Sequence, residues 1–101
     1  MPFQNYIMIR INCFIQVNEE NRTAVLEAAK TLTAASLEQD GCVAYDIFES
    51  STRPDVLMIC ETWRDKEALD AHSNSKVFHD QVKIMHDLAN LKLETFEMPK
   101  K

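Results

Sequence analysis

The chain predicts an α+β fold of order β-α-β-β-α-β, a four-stranded antiparallel sheet with both helices on one face. Three features carry that expectation: alternation of period two at both ends, one long stretch at helical spacing, and two strand-like runs joined by "STRPD". In "YIMIRINCFIQV", Ile7, Ile9, Ile11, Cys13, Ile15 and Val17 fall on one side, and Met8, Arg10, Asn12, Phe14 and Gln16 on the other. One side is wholly apolar and the other mixed, which predicts a strand covered on one face. Strict alternation begins at Met8, so residues 1–7 read as an extension, 8–98 as the domain and 99–101 as a tail.

Asn18 supplies a helix N-cap, followed by Glu19 and Glu20 beside the positive helix end. Val25, Ala28, Ala29, Leu32 and Ala35 then recur at helical spacing. The single glycine, Gly41, lies just past this helix and is expected at its left-handed C′ position. "CVAYDIFES" and "DVLMICETW" read as a hairpin, because Pro54 and Asp55 supply the turn between them. Asp65 can cap a helix from Lys66, "SNS" at 73–75 interrupts it, and a second piece runs from about Lys76 to Leu88. "LKLETFEM" alternates again and ends at Pro99 as the last strand. The element order is ferredoxin-like.

A chain of 101 residues has room for one core. With 46% hydrophobic and 27% charged residues it has ordinary globular composition. The net charge of −5 argues against nucleic acid, which requires a basic stripe. No apolar run reaches the roughly 20 residues of a membrane span, and "MPFQNYIM" lacks the pattern of a secretory signal, so a cytoplasmic protein without membrane contact is expected. Cys13, Cys42 and Cys60 are odd in number and each lies in an apolar stretch, as reduced core residues do. The helix-free sheet face carries Asn12, Phe14 and apolar hairpin residues; a second copy of the chain is the expected cover, giving a homodimer.

His72, His79 and His86 stand seven apart, about 10 Å along a helix axis, whereas one metal ion needs ligands three or four apart. No metal site is expected. His79 and His86 fall on the polar helix side with Lys76, Asp80, Lys83 and Asp87. His72 follows Ala68 and Leu69 by four and three residues and is expected to point inward, as a hydrogen-bonded core residue or as part of a pocket. Glu61 shares its strand side with Leu57, Ile59 and Trp63, which makes it either a structural anchor, for instance with Arg10 or Arg64, or a general base. Trp63 reads as core, with an indole N–H that needs a partner.

The run "DGCVAYDIFES" followed by "VLMICETWRDKEALDAHSNSKVF" resembles the antibiotic biosynthesis monooxygenase superfamily, small dimeric α+β barrel proteins that include quinol and anthrone monooxygenases. The recurring elements are Gly41-Cys42 with Tyr45, Glu61-x-Trp63, Glu67-Ala68-Leu69, Ala71-His72 and Phe78. The resemblance implies an enzyme that needs neither flavin nor metal and oxidises a quinol, anthrone or related phenol with O2. It implies Asn12 as a hydrogen-bond donor, Trp63 as an aromatic wall and His72 as base or hydrogen-bond partner, with Phe14, Tyr45, Glu61, Phe78 and Val82 around the substrate. Val82 stands where the haem-degrading branch places its iron-binding histidine, which argues against haem. Alternatives are an isomerase acting on a small carbonyl compound, or a dimeric module that binds aromatic ligands without turnover.

Overall fold

The computed structural model describes residues 7–99, arranged as β1 (Ile7–Val17), α1 (Glu19–Leu37), β2 (Cys42–Glu49), β3 (Val56–Trp63), α2 (Lys66–Ser73), α3 (Lys76–Leu88) and β4 (Ala89–Pro99). The sheet is antiparallel throughout, in the order β2-β3-β1-β4, so the ferredoxin-like expectation holds. Ile7 already pairs with Pro99, so the expected extension is one residue too long, and the tail loses Pro99 to β4. Residues 1–6 of that extension and 100–101 of that tail lie outside the described residues.

The core sits between the sheet and the helices. Alternation places Ile9, Cys13, Ile15 and Val17 of β1 and Leu57, Ile59 and Trp63 of β3 in it, all buried. From α1 come Val25, Ala28, Ala29 and Leu32, with Ser36 and not the expected Ala35 as the last buried position. Asn18 occupies the N-cap position with extended backbone, but its side chain makes no capping bond; its carbonyl accepts from Asn21 N–H at 3.0 Å. Asp65 caps as expected, accepting from Ala68 N–H at 2.8 Å, and within the interrupting 73–75 stretch Ser75 Oγ caps the next helix by accepting from Phe78 N–H at 3.3 Å. They divide the second helical region into α2 and α3.

Gly41 is not the C′ residue of α1, which ends with Glu38 as its C-cap. It lies further on, at φ +84°, in the turn that enters β2. A Cβ there would stand 2.4 Å from Ala68 Cβ, and the Gly41 carbonyl accepts Arg64 N–H at 2.8 Å. Glycine is required both for the left-handed backbone and to let α2 approach. Directly after it, an irregularity between Cys42 and Ala44 shifts the β2–β3 register by one residue and sets Tyr45 opposite Glu61. Glu61 in turn stands opposite Ile11 of β1.

Gly41→Ala is expected to lose about 2 kcal/mol or more, from backbone strain and the Ala68 contact together. Urea unfolding followed by Trp63 fluorescence measures it; an unchanged midpoint would contradict this account of the turn.

Candidate active site

A cavity of about 310 Å³ opens between the sheet and the helices. Ile11 and Cys13 of β1, Leu91 and Leu93 of β4, and Phe78, Val82 and Met85 of α3 form much of its wall. Its polar groups are Tyr45, Glu61, His72 and Ser73, with His86 also in the lining. Among the described residues, no lysine or arginine lines it.

Glu61 is 6% exposed, and its Oε1 accepts the Trp63 indole N–H at 2.8 Å. Neither arginine considered as its partner reaches it. Arg10 contacts Cys60 Sγ on the other sheet face, and Arg64 binds Asp40 and Asp65. Burial holds the Glu61 carboxyl above the ordinary carboxylate range, while hydrogen bonds from Trp63 and Tyr45 pull it back. Tyr45 is pushed up by burial and then by the nearby Glu61 charge, so its phenol stays protonated. Cys13 is raised for the same two reasons, to about 11, and remains a thiol.

His72 is 2% exposed. Its Nδ1 lies 2.7 Å from Gln39 Oε1, and its Nε2 lies 3.8 Å from Glu61 Oε1 with no hydrogen-bond partner among the described residues. The imidazole stacks on Trp63 at a centroid distance of 4.4 Å and 33°. Tyr45 and Phe78 approach it at 5.7 and 5.1 Å. Burial drives the imidazole pKa down from 6.5 to about 4, so His72 is neutral at pH 7.

Five of the eight site residues named from sequence, Tyr45, Glu61, His72, Phe78 and Val82, line this cavity. Asn12 and Phe14 do not. They sit at even positions of β1, on the helix-free face, where Asn12 pairs with Cys60 and Phe14 with Met58. Trp63 does not line the cavity either; it lies behind His72 as support for that ring and for Glu61. Gln39, Cys13, Met85 and the β4 leucines were missed. Cys13, Met85 and Leu91 carried only a core-packing signal, and nothing local to Gln39 announces a partner 33 residues away. His79 is exposed as expected, whereas His86, also exposed, stands at the cavity and not merely on a solvated face. Among the described residues, no group of three His, Cys, Asp or Glu converges on a metal position.

The depressed His72 pKa makes folding pH-dependent. Between pH 6.5 and about 4 the unfolded chain takes up a proton that the folded chain refuses, so stability falls as pH falls, by roughly 3 kcal/mol across the window. Glu61 acts oppositely: the folded chain keeps its proton above 4.5, so Glu61 withdraws stability as pH rises out of that range. Urea midpoints from pH 7 to 4 should fall more steeply in the native chain than in a His72→Asn variant. Parallel curves would mean that His72 is not buried as a neutral ring.

Comparison with known proteins adds family to geometry. The profile described as antibiotic biosynthesis monooxygenase matches residues 8–83. A crystal structure from Bacteroides thetaiotaomicron, of a conserved protein of unknown function described as a "possible oxidoreductase", is 56% identical with a TM-score of 0.90, covering 92% of this chain and 99% of that one. The Bacillus subtilis protein YcnE, a candidate monooxygenase by its name, is 30% identical over 70% of this chain and 75% of its own length. A Synechocystis protein without assigned function is 28% identical over 73% of this chain, and the match spans 50% of that longer protein. With three quarters of its length matched by the profile, the chain belongs to the antibiotic biosynthesis monooxygenase family.

Proposed function

We propose that the protein is a cofactor-independent monooxygenase that oxidises an uncharged quinol, anthrone or similar phenolic compound with O2. The observation that carries this reading is a mostly apolar cavity whose polar lining includes a buried carboxyl and a neutral imidazole 3.8 Å apart. Such a cavity excludes water from a flat ring, and the pair can take a proton from it. The resulting substrate anion passes one electron to O2, and the two radicals combine to a peroxide at carbon. With a second hydrogen lost from that carbon, the O–O bond breaks to leave one oxygen as carbonyl and release the other as water. No atom or electron is needed beyond substrate and O2.

Charge selects the substrate. Glu61 can take up a proton as the substrate gives one up, so the cavity's net charge does not change during deprotonation. A substrate that arrives as an anion meets no lysine or arginine in the lining among the described residues. Phe14 and the half-exposed Phe48 and Phe96 lie on the helix-free face, and Asn12 Oδ1 is buried there without a partner among the described residues. A second copy packed on that face, giving a homodimer, belongs to the same reading. So does residence in the cytoplasm, the reducing compartment that preserves the unpaired thiols of Cys13, Cys42 and Cys60.

An oxygen electrode with a panel of hydroquinones and anthrones tests the activity; no uptake with any of them would refute it, and turnover of a carbonyl compound without uptake would favour an isomerase. Glu61→Gln and His72→Ala are each expected to lower kcat by about 10²-fold. A carboxylated hydroquinone should turn over far more slowly than its uncharged parent. Light scattering at micromolar concentration should give twice the chain mass, and a single-chain mass would refute the dimer.

A further inference from the structure

We infer that Gln39 is a positioning residue: its amide oxygen takes the Nδ1 proton of His72 and leaves Nε2 as a bare acceptor for the substrate hydroxyl. The inference rests on the oxygenase reading for its kinetic arm alone.

A neutral imidazole carries one proton, and its two nitrogens compete for it. With Nδ1–H donating to Gln39 Oε1 at 2.7 Å, Nε2 is left with a lone pair and no donor among the described residues. A buried acceptor in that state has lost its water without replacement, so it calls for a partner. His72 stands at the cavity wall, where a phenolic O–H can supply that partner on binding. The other tautomer would point Nε2–H towards the Glu61 carboxylate, 3.8 Å away, and leave His72 as an anchor for that charge with no acceptor to offer. Whether His72 is anchor or acceptor is therefore decided at Nδ1, on the side away from Glu61.

Gln39 is held for that purpose. It lies in the turn between α1 and β2, where its N–H donates to Ser36 O at 3.0 Å and its carbonyl accepts Cys42 N–H at 3.2 Å. It reaches His72 from a separate hollow shared with Asp40, Arg64 and Glu67, so it contacts the ring without occupying the substrate cavity. Trp63, Tyr45 and Phe78 pack around the ring and hinder the imidazole from turning over to exchange its nitrogens.

Nitrogen-15 NMR of the histidine side chains at pH 7 reads the tautomer directly, with His72 assigned from the His72→Asn spectrum. The native protein should show the Nδ1–H form. Gln39→Leu should move the proton to Nε2 and lower kcat on a hydroquinone by about 10²-fold, with KM changed less than about twofold. Gln39→Glu keeps an acceptor at Nδ1 and should restore both the Nδ1–H signal and most of kcat. Should Gln39→Leu fail to fold, Gln39→Asn withdraws the amide by one methylene and serves the same purpose. An Nε2–H signal in the native protein, or variants that leave tautomer and kcat untouched, would overturn the assignment. If the native protein consumes no O2, the oxygenase reading fails while the nitrogen shifts still decide the role of Gln39.

Discussion

A carboxylate on the packed face of a sheet is tolerable only if something donates to it, and the Trp63 indole N–H does so at 2.8 Å. Much of the site follows from that bond. It fixes the indole, and the indole gives His72 of α2 a surface to lie against. With the ring so placed, Nε2 looks towards Glu61 and Nδ1 towards Gln39. Trp63 is completely buried, so the residue most suggestive of a substrate wall serves as the base on which the wall stands.

The sheet places the third polar group in the same row. A regular β2–β3 ladder would have put Tyr45 one position away from Glu61; the irregularity at Cys42–Ala44 brings them face to face. That irregularity follows Gly41, whose missing side chain also lets α2 settle against the turn. Backbone features that look like packing details thus determine which phenol, carboxyl and imidazole share one space.

The fold was legible because its signals are local. Alternation in 7–17 and 91–98, the Asp65 cap, the break at 73–75 and the Pro-containing turn each report on neighbours in sequence. Side-chain parity was equally legible and carried a warning. Asn12 is even on β1, and Trp63 is odd on a strand paired so that Ile9 faces Trp63, which puts the two on opposite faces. Family resemblance grouped them into one pocket, and the pairing separates them. The Gln39 contact could not be read in advance, because it spans 33 residues and depends on the exact path of a turn. A helical-wheel reading likewise put His86 only with the solvated residues, although it also borders the cavity.

The interruption at Asn74 divides labour between two short helices. α2 and the sheet carry Tyr45, Glu61 and His72, whereas Phe78, Val82 and Met85 hang from α3, which begins afresh with its own Ser75 cap. The reactive groups and most of the groups that shape the space around them therefore sit on separately capped elements, which meet where Phe78 packs edge-on against His72. Changes of size at Val82 or Met85 can thus remould what the hollow admits while Tyr45, Glu61 and His72 keep their places on the sheet and α2, so the breadth of the hollow and its proton chemistry are set by different stretches of chain.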